Sequence, residues 1–259
     1  MNRSEEYKNL RRLPVIRRAR DYHLYDASGR RFLDLYLDRG RAWLGHRPDG
    51  VSLQLKNTLS RGVFAPFPSS EEGKMLKAAA ALCDFLNAGC RDIAYYSCRQ
   101  DREDVPGRPS DILVRPEASF VLWRPGLPWP DKAEQVEILI PLPGLDAGRI
   151  IVSRDGELPP GDLPSPVNAA AINRSLWSLL AALKEITAPL FTPGEEWTMQ
   201  GNYCFFTGSA DDYDRIFKKA LEEGVLLSPS RESPCIIPRE LSSGDLKVLK
   251  KVFPGGTAP

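Results

Sequence analysis

Surplus charge of either sign is missing from this 259-residue sequence: 35 Lys and Arg stand against 34 Asp and Glu. A net charge of +1 lacks the basic excess with which nucleic-acid binders hold phosphates. No uninterrupted apolar run is long enough to cross a bilayer, and the opening MNRSEEYKNLRRLP has no apolar core of a secretory leader. The expected location is therefore the cytoplasm, with neither nucleic acid nor membrane as a partner. There are only two histidines, and the five cysteines include no CxxC pair, so neither a zinc site nor a disulfide framework is indicated. Cys83, set among Ala and Leu, reads as a buried free thiol. Missing too are the GxSxG elbow, the GxxxxGK[ST] loop and GxGxxG, and with them the commonest acyl-transfer and phosphate-cradling signatures.

What is present is 42% hydrophobic residues, enough to exclude a disordered chain and to build one large or two small cores. Residues 1–31 hold nine basic and four acidic side chains, a local +5, which reads as a solvated or subunit-gripping arm, with an anionic partner as the alternative. The stretch DYHLYDASGRRFLDLYL predicts a hairpin turning at Asp26–Gly29. Ser69 with Glu72 three residues on predicts a capping box for a helix that buries Met75, Leu76, Ala79, Leu82, Cys83 and Leu86. RDIAYYS reads as a strand, QDREDVPGRPSDILVRP as a loop, and Ala118–Trp123, Val136–Ile140 and Arg149–Ser153 as short buried strands. Ser165–Ile186 is the best helix, with Pro166 in its first turn. Its stripes run through Ala170, Asn173, Trp177, Leu180 and Lys184, and through Ile172, Leu176, Leu179 and Leu183. Trp197–Thr207 reads as one strand, followed by a helix capped by Ser209 and stopped at Gly224, the strand Val225–Leu227, and a last helix from Ser242. This β-α-β-α order predicts a small α+β lobe.

No side chain announces a reaction. His23 in its strand, and His46 between Gly45 and a proline-bearing turn, read first as structural. Asp211, Asp212, Glu195 and Glu196 read as caps and solvated charge. A Schiff-base lysine needs a desolvated pocket, and no lysine has a local context that singles it out.

Asp26, Gly29, Arg30, Arg31, Leu33 and Asp34, followed by Leu44, Gly45, His46 and Pro48, match the "DxxGxxYLD" hairpin and "LGHxxP" turn that open the class III pyridoxal-phosphate-dependent aminotransferases. The segment from Asp214 to Phe253 is similar to the C-terminal lobe of that family's glutamate-1-semialdehyde aminomutase-like members. Together the likeness covers residues 20–97 and 165–253. The resemblance implies an α+β fold, the small lobe of a fold-type I transferase with a reduced central region, divided as arm and hairpin (1–65), central region (66–190) and C-terminal lobe (191–259). It implies a homodimer, or association with a full-length aminotransferase. Ser97 falls at the first position of the family's phosphate-binding turn, where Cys98 and Arg99 replace the expected Gly and Thr. The family's lysine and aspartate find no counterpart, and the middle is too short for a parallel sheet with crossover helices.

Three readings follow. The favoured one is an aminotransferase-like binding or partner protein without catalysis and without cofactor. The second keeps transaminase chemistry with pyridoxal 5'-phosphate and a non-standard or partner-supplied lysine. The third places a small-molecule pocket among Trp123, Arg124, Trp129 and Arg149, with Arg124 and Trp129 as the binding residues.

Overall fold

A computed structural model describes residues 3–97, 105–186 and 188–258. In chain order its elements begin α1 (Arg3–Leu10), β1 (Ile16–Arg20), β2 (His23–Asp26), β3 (Arg31–Asp34), α2 (Val51–Leu59), α3 (Ser70–Phe85) and β4 (Asp92–Tyr96). The middle holds β5 (Ser110–Asp111), β6 (Phe120–Trp123), β7 (Gln135–Ile138), β8 (Arg149–Ser153) and α4 (Pro166–Lys184). The chain ends with β9 (Trp197–Gln200), β10 (Tyr203–Phe206), α5 (Ala210–Glu223), β11 (Val225–Leu226), β12 (Cys235–Ile236) and α6 (Ser243–Val252). This mixture is α+β, and packing groups it into two units: Met1–Arg47 with Ile186–Pro259, and Pro48–Glu185. The arm and the C-terminal lobe thus share a unit, and residues 48–65 belong with the central region.

The first unit joins the chain's ends through a four-stranded sheet ordered β1-β2-β3-β11. Its hairpin forms as predicted, because Asp26 Oδ1 accepts from the amides of Ser28 (2.8 Å) and Arg30 (2.9 Å) while Gly29 takes φ +86°. The basic run, which carries no strand signal of its own, becomes edge strand β1. Arg17, Arg18 and Arg20 face solvent, and the Arg18 guanidinium lies 4.7 Å from the centre of the Tyr25 ring. Charged edges of this kind resist pairing with other chains. The predicted strand over 197–207 is instead a hairpin, β9 and β10, in a second sheet ordered β12-β10-β9. β11 leaves that sheet and pairs in parallel with β3, Val225 against Leu33. The C-terminal β-α-β-α order is therefore split between two sheets.

Helix α6 carries a complete capping box between Ser242 and Asp245. Asp245 is 3% exposed and also lies 3.0 Å from His23 Nε2 and 3.2 Å from Arg31 Nη2. Burial opposes its ionisation, but hydrogen bonds with His23 and Ser242 hold the carboxyl well below the usual carboxylate range. A depressed folded-state pKa gives stability that is present above the unfolded value and is lost as pH falls toward the folded one. Asp245→Asn is expected to cost about 2 kcal/mol at neutral pH. The gap should shrink below roughly pH 4, where the unfolded carboxyl protonates. Urea unfolding of both proteins at pH 7 and pH 3.5 checks this, and a gap independent of pH would refute it.

The second unit sets α2, α3 and α4 with a mixed sheet ordered β4-β8-β7-β6-β5. α4 begins as predicted: Pro166 occupies the first turn and Ser165 accepts from the Asn168 amide. Leu176 and Leu179 are fully buried, each contributing about 2 kcal/mol of transfer free energy. The stripe through Ala170, Asn173, Trp177, Leu180 and Lys184 is covered only in part: Ala170 and Leu180 are buried, whereas Trp177 is 38% exposed and Lys184 lies in solvent. Ser69 does precede α3, but its side chain makes no cap; Oγ is turned inward and has no hydrogen-bond partner among the described residues. Parallel pairing nevertheless occurs here, without crossover helices: β5 runs parallel to β6, and β6 to β7. Strands of two and four residues need only a short return path, so irregular loops over 112–119 and 124–134 suffice.

Candidate functional site

Strand β4 lies at one edge of its sheet, and the segment 158–162 covers its outer side. The Asp162 amide donates to Tyr95 O (2.8 Å), Tyr96 Oη to Pro159 O (2.6 Å), and the Leu158 amide to Asp92 Oδ2 (2.7 Å). Gly161 is required at this approach, since a Cβ there would sit 2.9 Å from Tyr95 O. Between this segment, β4 and the start of α3 opens a cavity of about 240 Å³. Its lining mixes Leu76, Ile93 and Leu158 with the carboxylates of Glu72, Asp92 and Asp162. That volume is under the roughly 300–1,000 Å³ of ordinary small-molecule sites. Three acids and no base on its wall favour a small cationic group and repel a phosphate.

Ser97 follows directly. Its amide donates to Asp162 Oδ2 at 2.9 Å, so an internal carboxylate already holds the amide that the resemblance assigns to a phosphate. Cys98 and Arg99 lie outside the described residues. All eleven lysines are described, and every one is exposed. A Schiff-base lysine requires removal from water, which none of these positions supplies. Among the described residues, the single chain offers pyridoxal phosphate no buried lysine.

The other sequence-derived candidates are placed as follows. Arg124 is 7% exposed and grips Asp111, with Nε 2.9 Å from Oδ1 and Nη2 2.5 Å from Oδ2. Trp129, also 7% exposed, packs on Trp123 with ring centres 5.5 Å apart. The Trp129 indole N–H finds no partner among the described residues, whereas that of Trp123 donates to Leu127 O at 3.0 Å. Arg149 pairs with Glu137 at 2.7 Å and donates to Pro106 O and Gly107 O. The tryptophans meet, and each arginine has its own carboxylate. His46 Nε2 lies 2.8 Å from the buried Asp34, a bond that ties the "LGHxxP" turn to β3. No group of three or more His, Cys, Asp or Glu suited to a metal exists among the described residues. No helix there is long and apolar enough to cross a membrane. The acidic cavity was missed from sequence: Asp92 looks like any strand start, and Asp162 sits in the loop text GDLPSP.

No family model matches the chain. It is 29% identical over 257 residues to a protein of Borreliella burgdorferi described as uncharacterized, an alignment covering 93% of this chain and 90% of that one. A glutamate-1-semialdehyde 2,1-aminomutase of Clostridium acetobutylicum is 32% identical over 71 residues, which are 27% of this chain and 17% of the enzyme. Among solved structures, an omega-transaminase of Sphaerobacter thermophilus superposes with a TM-score of 0.60 at 11% identity, over 97% of this chain and 96% of that one. The likeness to solved structures is one of fold, and the fold is that of the aminotransferases.

Proposed function

We propose that this chain is a non-catalytic relative of the class III aminotransferases, a cytoplasmic binding or partner protein working as a homodimer or with a full-length aminotransferase. The observation that carries the reading is the exposure of all eleven lysines. The Ser97 amide's bond to Asp162 agrees with it, since the turn is satisfied from within. Free thiols at Cys83, Cys90, Cys204 and Cys235 suit a reducing compartment. Titrating the purified protein with pyridoxal phosphate is expected to give no absorbance band of a lysine adduct, and borohydride should fix no cofactor on any one lysine. A stoichiometric adduct at a single lysine would overturn the loss of catalysis. Light scattering and co-purification test the other half: a strict monomer that captures no aminotransferase would refute the partner role.

A further inference from the structure

The chain leaves α2 through residues 59–68, all of them exposed, and four of these are large and apolar: Leu59 (46% exposed), Val63 (41%), Phe64 (56%) and Phe67 (59%). The segment is held in this outward position. Gly62, at φ +73°, turns it off the end of α2, and the Gly62 amide donates to Leu59 O at 3.1 Å. Arg61 Nη1 lies 3.1 Å from Oε1 of the buried Glu71 on α3, and the Phe67 amide donates to Ala65 O at 2.9 Å. Pro66 and Pro68 restrict the backbone on either side of Phe67. A surface fixed in this way loses little freedom on binding.

We propose that residues 59–67 are the surface through which two copies of this chain pair. The contact is isologous: about a two-fold axis, Phe64 and Phe67 of each copy pack on the same two rings of the other, with Leu59 and Val63 at the margin. This pairing rests on the homodimer reading above and assigns that dimer its surface. Area favours a second copy. With Ala65, Pro66 and Pro68 the four side chains present about 500 Å² of mostly apolar surface, toward the upper end for the largest patch on a monomer. One side of a standard protein interface buries about 800 Å², of which roughly 450 Å² is apolar, so the segment supplies the apolar part of one side. Charge favours it too. No Asp or Glu stands between residues 51 and 70, and Arg61 and Lys74 are both held by Glu71 Oε1, at 3.1 and 2.9 Å. A face this close to neutral has no field with which to select a strongly charged partner, and it does not repel its own copy.

Sedimentation equilibrium on the full-length protein tests the pairing. Wild type is expected to be a dimer, and Phe64→Glu/Phe67→Glu should raise its dissociation constant by about 100-fold or more, since two central aromatic anchors are lost from each copy and carboxylates face one another instead. Val114→Glu, at an exposed apolar position elsewhere in the same unit, should leave the dimer unchanged. Circular dichroism establishes that the double variant is folded. Should it not be, Ala65→Cys decides: mild oxidation is expected to link residue 65 of one copy to residue 65 of its partner in a peptide map, and absence of that link would overturn the proposal. A dimer that the folded double variant leaves intact would overturn this surface while sparing the homodimer. A wild-type monomer would overturn both, and one that binds phosphatidylglycerol vesicles only with Phe64 and Phe67 in place would assign the segment to a lipid surface instead.

Discussion

Asp34→Ala is expected to lower unfolding free energy by about 3–5 kcal/mol, because it orphans several buried groups at once. Asp34 is 1% exposed; Oδ1 accepts from the amides of Tyr36 (2.8 Å) and Leu37 (3.1 Å), and Oδ2 faces His46. The turn it holds is strained. Leu37, Asp38 and Arg39 all take left-handed φ, at 47°, 48° and 57°, a conformation that side-chain-bearing residues reach only at a cost of about 1–2 kcal/mol each. From the other side Glu6, 6% exposed, receives Tyr36 Oη at 2.9 Å and Arg39 Nε at 3.0 Å. With Asp34 gone the turn keeps Glu6 but loses its amide acceptor. Asp34→Asn keeps one oxygen and should fall between wild type and the alanine variant. Urea unfolding followed by circular dichroism measures both, and a loss under about 1 kcal/mol for the alanine variant would show that the turn holds itself.

Trp123→Ala is expected to cost a similar 3–5 kcal/mol, by a different route. The ring is 0% exposed on a strand flanked by neighbours on both sides, with its N–H bonded to Leu127 O. Truncation opens a cavity and frees that carbonyl. Its neighbour Trp129 makes no such bond, so Trp129→Phe should cost less than about 1.5 kcal/mol. Parallel denaturation of the two variants separates them. Equal losses would mean that packing alone governs the pair.

Much of the fold was legible because its signals are local. The Asp26–Gly29 turn, the Ser165–Pro166 start of α4 and the Ser209 and Ser242 caps each depend on a few neighbouring side chains, and all formed where the sequence placed them. Pairing was not legible. Nothing near Val225 reveals that it joins Leu33, a partner distant in the chain, and nothing in the charged text IRRAR marks an edge strand, although its partner β2 follows directly. The Ser69–Glu72 box failed for the same reason: its spacing was right, but packing turned the serine inward. The candidate site was less legible still. Asp92 and Asp162 gain meaning only when the 158–162 segment crosses β4, and the exposure of every lysine is a property of the folded surface.

The parallel pairing of β11 with β3 also governs the order in which the molecule can be made. During synthesis the hairpin of β2 and β3 leaves the ribosome early, yet its sheet gains its last strand only when Val225 and Leu226 emerge. Residues 48–185 hold all their own strand partners and can fold while the remainder is still being translated. The β3 edge must meanwhile wait open, a slow non-local closure that leaves Phe32 and Leu33, 1% and 3% exposed in the finished protein, uncovered on the nascent chain. Truncations that stop before residue 225 should therefore expose this edge to chaperones.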